Sequence, residues 1–169
     1  MKFEDLEIWD TVKGFENYKV SSKGRVYNST TGRYKAPNRN KHGYLKVDLY
    51  KENKRTPKSI HRLVAEAFYF VENFETQVID HKDRNITNNV LLNLRPCSLR
   101  QNSYNCKIRS DNTSGYKGVS WNSRKKQWCV RMMINNRYRC LGYFGSKDKA
   151  HETYEKTAKQ LHGEFYFEN

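Results

Sequence analysis

The residues that could do chemistry lie together between Asp80 and Asn102. This stretch reads DHKDRNITNNVLLNLRPCSLRQN and opens with an aspartate directly before a histidine. His81 could take a proton from water, because an imidazole exchanges its proton near neutral pH. Asp80 and Asn102 offer oxygen ligands to one Mg²⁺ or Mn²⁺ ion per site, which needs few protein ligands when a substrate phosphate supplies others. The pattern predicts metal-assisted hydrolysis of a phosphodiester bond.

Asp80 and His81 can act together only if a strand ends at His81. Neighbours on a regular strand point to opposite faces, so the two side chains could not both reach one phosphate from a strand interior. Residues 77–79 predict this strand, and the asparagine-rich residues 85–89 predict the loop after it, because asparagine favours turns. The apolar spacing of residues 60–70 predicts an amphipathic helix ahead of the strand.

The residues after the loop complete a hairpin followed by a helix. Asn93 would lie on the returning strand, where its amide could tie the loop backbone and fix the imidazole. Arg95 would bind the scissile or the adjacent phosphate through two donors. Residues 98–105 predict a helix with Ser98 as its N-cap.

The composition favours an extended polyanion as partner. The chain has 169 residues and a formal net charge of +14 that is spread along its length. Each phosphate that a basic side chain neutralises releases counterions, which drives binding to nucleic acid. The alternative at this level is a basic protein without such a partner. With 36% hydrophobic and 30% charged residues, one large core is not expected, and small folded modules are.

The cysteine pattern and the first residues of the chain predict the cellular compartment and whether a structural zinc is present. The cysteines show no C-x-x-C pair, so no structural zinc is expected, and free thiols fit a reducing, cytoplasmic setting. The start of the chain is acidic and lacks the apolar stretch of a signal peptide. No apolar run approaches the roughly 18 residues that span a bilayer, so no membrane partner is expected.

The flanks of the central stretch predict two further modules. Residues 1–58 contain short alternating runs separated by glycines, which predicts small antiparallel strands. Residues 115–121, 127–134 and 137–144 predict a three-stranded antiparallel sheet, and Ser146 caps a predicted helix from 147 to 162. One helix face should cover the sheet; it carries Ala150, Tyr154, Ala158 and Leu161. The third module is therefore predicted to be β-β-β-α.

The central stretch resembles a known nuclease motif. The string DHKDRN-x-x-NN-x-x-x-NLR, with Asn102 seven residues after Arg95, is similar to the ββα-metal motif of HNH endonucleases, in particular the bacteriophage and intron-encoded homing group. His61 to Phe68 resembles the helix that leads into that motif. The N-terminal motifs resemble a small nuclease-associated modular domain: Trp9, residues 14–16, 18–21 and 24–26. The C-terminal motifs resemble the Apetala/ethylene-response-factor DNA-binding domain: residues 115–119, Trp128, 141–144, Ala150 and 162–163.

The resemblance implies an α+β protein of small modules around a ββα-metal core. It implies a nuclease-associated DNA-binding module at 1–58, an HNH domain at 59–108, a linker at 109–114 and an Apetala-like domain at 115–169. It also implies His81 as general base, Asp80 and Asn102 as metal ligands, and Asn93 as the residue that fixes the hairpin.

The sequence departs from the family pattern at three places. Asn102 stands where histidine is often found, but an amide oxygen also binds divalent metals. Arg84 stands where glycine is usual, and Pro96 where an aromatic residue is usual. Neither of these two changes removes a catalytic group.

The flanking modules are predicted to bind DNA. The face of the C-terminal sheet away from its helix would enter the major groove; it carries Lys117, Ser120, Asn122 and Arg131. Cys129, Met133 and Cys140 are predicted on the same outward face. Near the N-terminus, Arg25, Arg33 and Lys35 are predicted to contact phosphates. Trp121 and Trp128 are assigned to core packing. His61 is assigned to packing or to support of the nuclease module.

These expectations describe a site-specific DNA endonuclease of the homing type. It would act as a monomer on double-stranded DNA, either nicking or cutting it, in the host cytoplasm if a phage encodes it. Two alternatives stay open: a sequence-specific DNA-binding regulator with a vestigial nuclease centre, and a restriction or repair nuclease of the HNH type.

Overall fold

A computed structural model describes residues 6–70, 73–135 and 137–167 of the chain. The protein is a mixed α/β structure with several small sheets and few helices, which confirms the predicted fold class at this level. It divides into two compact units, Met1–Asn102 and Ser103–Asn169. The finer division at 58/59 and the linker at 109–114 stay predictions. None of the described helices is long and apolar enough to cross a membrane.

Two small antiparallel sheets open the first unit. The first has the strand order β1-β2-β3-β4 and the second β5-β6-β7. The strands are β1 Trp9–Val12, β2 Phe15–Ser21, β3 Val26–Asn28, β4 Arg33–Tyr34, β5 Asn38–Arg39, β6 Leu45–Lys51 and β7 Lys54–Ser59. Their alternating apolar residues point inward, so Val20, Val47 and Leu49 are fully buried.

Helix α1, Ile60–Phe68, packs on these strands. It buries Leu63, Val64 and Ala65, and these join Val20 and Val47 in one core cluster. The helix ends two residues before the predicted end at residue 70, because Tyr69 takes an extended conformation. Fully burying one aliphatic side chain stabilises a fold by about 1.5–3 kcal/mol, so this shared core joins the helix firmly to the N-terminal strands.

The predicted hairpin and helix follow. Strand β8, Val78–His81, pairs antiparallel with β9, Leu94–Cys97, and helix α2 covers Leu99–Tyr104. The last residue of β8 is His81, as the proposed chemistry requires. Ser98 caps α2 in both directions: its Oγ accepts from Gln101 N at 3.2 Å, and its own N donates to Gln101 Oε1 at 2.9 Å. This reciprocal pair is a capping box.

The second unit has the predicted β-β-β-α order. Strands β10 Val119–Asn122, β11 Gln127–Ile134 and β12 Arg137–Phe144 form one antiparallel sheet, followed by α3 Lys147–His162. Ser146 Oγ accepts from Lys149 N and caps α3. The core of the unit joins sheet and helix; its buried members are Val119, Val130, Met132, Ala150, Tyr154 and Ala158.

Three side chains of the second unit differ from the prediction. Leu161 is 50% exposed, because Tyr166, which follows the helix, packs against the core in its place. Cys129, predicted to face outward, is buried, and its Sγ lies 3.6 Å from that of Cys140, another residue of the predicted outward face. Trp121, assigned to the core, is 50% exposed, and its ring lies edge-on against Trp128.

Gly118 sets a tight packing point between sheet and helix in this unit. It has φ +71°, and a Cβ there would overlap the buried Tyr154 ring and lie 2.8 Å from the Arg131 carbonyl oxygen. Gly115 has a similar φ of +77° but open space around it. Substitutions at these two positions therefore allow the cost of backbone strain, present at both, to be separated from the cost of steric overlap, present only at Gly118.

We predict that Gly118→Ala destabilises the protein far more than Gly115→Ala. Strain at positive φ alone should cost about 1 kcal/mol, and overlap in a packed core adds roughly 1–3 kcal/mol. Urea unfolding of the full chain, followed by tryptophan fluorescence, measures both losses. Equal losses in the two variants would contradict the packing described for Gly118.

Candidate active site

The imidazole of His81 is buried and held by an asparagine from the loop. His81 is 4% exposed, and its Nε2 lies 3.1 Å from Oδ1 of Asn89, which is 5% exposed. An amide oxygen only accepts hydrogen bonds, so this contact requires the tautomer with its proton on Nε2. The lone pair is then on Nδ1, which is the nitrogen able to take a proton from water.

Asn89 is a site residue that the sequence pattern did not single out. Its loop position predicted only a turn, and nothing local distinguishes it from the two other asparagines of the loop, Asn85 and Asn88. Its position depends on Gly24, far away in sequence, which has φ +78°. A Cβ on Gly24 would lie 2.9 Å from Asn89 Cβ, so only glycine allows the two segments to approach this closely.

Asn93 ties the loop together from within. Its Nδ2 donates to Asp83 Oδ1 at 2.9 Å and to the Asn88 carbonyl at 2.8 Å, while its Oδ1 accepts from Asp83 N at 3.0 Å. The loop-tying contacts proposed for Asn93 are therefore present. The side-chain contact with the imidazole goes to Asn89 instead, and a catalytic role for Asn93 stays a prediction.

Asp83 and Arg84 shape the turn that follows His81. Burial alone would raise the pKa of Asp83, but hydrogen bonds from Asn88, the Asn85 backbone and Asn93 hold it below its ordinary value. Arg84 has φ +61°, in the left-handed region that favours glycine. This conformation accounts for the glycine that the family usually carries at this position.

Asp80 forms a buried ion pair with Arg95 across the hairpin. The guanidinium donates to Asp80 Oδ2 from Nε at 2.8 Å and from Nη2 at 2.7 Å. Both side chains are less than 10% exposed. The structure thus gives Arg95 a carboxylate partner, where the sequence predicted a phosphate. A contact between Arg95 and DNA stays a prediction.

The two predicted metal ligands converge on Cys97. Backbone N–H groups of Asp80 and Asn102 both lie against its sulfur, which brings the end of β8 and the body of α2 together. Burial, with the Asp80 charge next in importance, raises the pKa of Cys97 to about 11, so the sulfur stays a thiol at neutral pH. Within this arrangement Cys97 acts as a packing group.

The donor set at Asp80 and Asn102 fits a hard divalent cation. One carboxylate and one amide oxygen are ligands of the kind that Mg²⁺ and Mn²⁺ take, with water and phosphate completing the shell. Within residues 6–70, 73–135 and 137–167, no group of three or more His, Cys, Asp or Glu side chains could hold a metal. A cation here would therefore depend on oxygen from the substrate.

The predicted phosphate contacts near the N-terminus have partners within their unit. Arg25 forms an ion pair with Glu7, and its guanidinium lies 5.1 Å from the Tyr34 ring centroid. Lys35 Nζ lies 5.7 Å from the Tyr50 ring centroid. Arg33, on β4, is exposed. Contact of these cations with DNA stays a prediction.

The predicted major-groove residues of the second unit differ in accessibility. Ser120 and Arg131 are exposed on the sheet. Lys117 Nζ donates to the carbonyls of Tyr104 at 2.8 Å and Cys106 at 3.0 Å, so it holds the start of this unit. Asn122 Oδ1 accepts from Lys125 N at 3.0 Å within the turn after β10. Their contacts with DNA stay predictions.

Comparison with known proteins shows what the chain is similar to. Residues 7–50 match the NUMOD4 motif, inside the predicted N-terminal module. The chain is 40% identical over 89 residues to DNA endonuclease I-HmuI of Bacillus phage SP01, covering 52% of this chain and 50% of that protein. It is 35% identical over 89 residues to Protein 3.8 of Escherichia phage T7, covering 52% and 71% respectively. It is 30% identical over 95 residues to H-N-H endonuclease F-TflII of Escherichia phage T5, covering 56% of this chain and 48% of that protein.

A solved structure extends the likeness to nearly the whole chain. The structure titled "DNA binding and cleavage by the HNH homing endonuclease I-HmuI" has a TM-score of 0.55 and 28% sequence identity, and the match covers 93% of this chain and 91% of that one. The chain is therefore similar to phage HNH endonucleases, over about half of its length in sequence and over nearly all of it in fold.

These comparisons confirm part of the resemblance and leave part of it open. The NUMOD4 match and the similarity to HNH endonucleases of phages agree with the sequence prediction. The likeness of the C-terminal unit to the Apetala/ethylene-response-factor domain stays a prediction. The chain spans about half the length of the curated relatives I-HmuI and F-TflII.

We predict that Arg95→Ala destabilises the protein by about 3–5 kcal/mol, because it leaves the buried Asp80 carboxylate without its counter-charge. The double variant Asp80→Asn/Arg95→Leu should recover much of that loss, since it removes both charges. Arg55→Ala is the matched control: its pair with Asp48 is solvent-exposed on the arginine side, and little change is expected. Urea unfolding measures all three. A loss for Arg95→Ala no larger than for Arg55→Ala would contradict the buried pair.

Proposed function

We propose that the protein is a site-specific DNA endonuclease of the homing type that hydrolyses a phosphodiester bond with His81 as general base. The observation that carries the proposal is the contact between His81 Nε2 and Asn89 at the end of β8, one residue after the Asp80 carboxylate. With its proton on Nε2, His81 would accept a proton at Nδ1, and Asp80, its neighbour in sequence, would supply an oxygen ligand for a cation. The similar protein I-HmuI is a homing endonuclease that binds and cleaves DNA, which supports the same reaction class.

The residues act on the bond in a definite order. Water gives a proton to His81 Nδ1 while its oxygen attacks the phosphorus in line with the departing 3′ oxygen. The P–O3′ bond breaks, the departing oxygen takes up a proton, and the products are a 3′-hydroxyl and a 5′-phosphate. Asn89 keeps the imidazole in one tautomer throughout, because its amide oxygen accepts only from the protonated Nε2.

Asp80 and Asn102 would hold one Mg²⁺ or Mn²⁺ ion. Such an ion supplies charge neutralisation at the phosphoryl group and at the departing oxygen. Arg95 orients the Asp80 carboxylate through its two hydrogen bonds, so that this ligand is fixed before substrate arrives.

Double-stranded DNA is the proposed partner. The net charge of +14 gives a general attraction for phosphates, and exposed Arg33 and Arg131 provide cations in the two units. One active centre hydrolyses one strand, so a monomer would nick DNA. A double-strand break would need two sequential events or two copies. Contacts made by both units predict a long recognition site.

We predict that His81→Ala abolishes nicking while leaving DNA binding intact. Losing a general base should slow cleavage by about 10²–10⁴-fold. Conversion of supercoiled plasmid to the open circle in Mg²⁺ or Mn²⁺ measures the rate, and a gel shift on the same DNA measures binding. The target is first selected from a library of random inserts by retention on the protein.

His42→Ala controls for the loss of any histidine, because His42 is exposed and lies outside the site. Chelation of the cation should stop wild-type nicking reversibly. If wild type binds the target but never nicks it, the chain is a DNA-binding regulator with a vestigial nuclease centre. A footprint of only a few base pairs would favour a restriction or repair nuclease instead.

A further inference from the structure

Two rings, those of Tyr44 and His61, lie next to the candidate base His81 in the first unit. The Tyr44 and His61 ring centroids lie 5.1 Å apart, those of His61 and His81 5.3 Å apart, and those of Tyr44 and His81 6.0 Å apart. Tyr44 directly precedes β6, His61 is the second residue of α1, and His81 ends β8. Three elements that are distant in sequence therefore meet at one imidazole.

His61 is an unusual member of this triangle. Its Nδ1 is buried and has no hydrogen-bond partner. An unsatisfied buried nitrogen destabilises a fold, so a position that served packing alone would favour an apolar ring. Burial, followed by the charges of His81 and Arg62, lowers the pKa of His61 to about 4, so the ring is neutral at pH 7.

The plane of the His81 ring decides where Nδ1 points. The contact with Asn89 holds one atom of the ring, and the χ2 torsion of histidine has a broad, roughly two-fold preference. Rotation about χ2 moves Nδ1, so the rings packed against His81 affect the direction in which Nδ1 points.

We propose that His61 is a positioning residue whose aromatic ring fixes the plane of His81. The two ring centroids lie 5.3 Å apart with an interplanar angle of 66°, and this packing limits rotation of the His81 ring. The inference rests on the proposed function of His81 as base.

The experiment compares two apolar substitutions of similar size. His61→Phe keeps a neutral aromatic ring and removes the buried nitrogens, while His61→Leu fills the space without a ring. Both variants avoid a cavity, so a loss specific to leucine reports on the ring. Nicking kinetics on the selected target separate kcat from KM, with His42→Ala as the control for a histidine outside the triangle.

We expect His61→Leu to lower kcat by about tenfold with KM unchanged, and His61→Phe to stay close to wild type. A value of kcat equally low in both variants would overturn the proposal, because the imidazole nitrogens would then be needed. Wild-type kcat in His61→Leu would overturn it as well, since no ring would be required.

A second readout does not depend on cleavage. Nuclear magnetic relaxation of the histidine rings reports how freely the His81 ring rotates about χ2. Wild type and His61→Phe should show a rigid His81 ring, and His61→Leu should show a mobile one. If wild type fails to nick DNA, the proposed function fails while the relaxation data still decide whether His61 positions the ring. A rigid His81 ring in His61→Leu would contradict the positioning role.

Discussion

The candidate active site depends on a hairpin that could not stand alone. Strands β8 and β9 have four residues each, and an isolated two-stranded hairpin of this size is marginally stable in water. Apolar residues Ile79 and Leu94 anchor it in the core beneath α1. Tyr69, just after that helix, donates to the carbonyls of Leu91 at 3.2 Å and Leu94 at 2.8 Å. The hairpin is stable because the rest of the unit is built around it.

The N-terminal strands help to hold the candidate active site. The turn between β2 and β3 supports the loop, since the Ser22 carbonyl accepts from Leu91 N at 2.7 Å and Gly24 lies against Asn89. Tyr44 supplies a ring to the base. The segment that matches the NUMOD4 motif thus includes residues that position the candidate catalytic groups. One folded core links the two functions that the sequence assigned to separate modules.

Local patterns in the sequence predicted the elements, and long-range contacts decided what lies around the site. The apolar spacing of α1 and α3, the capping serines 98 and 146, and the strand end at His81 all appear where they were expected. Each follows from forces that act over a few residues. Asn89 could not be assigned in this way, because the glycine that admits it is 65 positions earlier in the chain.

The remaining differences have the same origin. The buried partner of Arg95 became visible only with the register that pairs it with Asp80. The burial of Cys129 involves Cys140 on the neighbouring strand, a contact that the sequence of β11 does not indicate. Lys117 holds two carbonyls that the sequence does not mark as acceptors. Charge and spacing therefore selected the candidate site residues, and long-range packing determined which partners they contact.

The internal hydrogen bonds of the asparagine-rich loop affect how the protein would bind DNA. Its polar side chains already bind one another: Asn85 N donates to Asp83 Oδ1 at 2.8 Å, Thr87 N to Asn85 Oδ1 at 3.1 Å, and Asn88 Nδ2 to Asp83 Oδ2 at 2.7 Å. A loop ordered before binding loses little conformational freedom when a ligand arrives. Encounter with a duplex would then resemble the docking of two preformed surfaces, in which the shape of the DNA has to adapt to the protein.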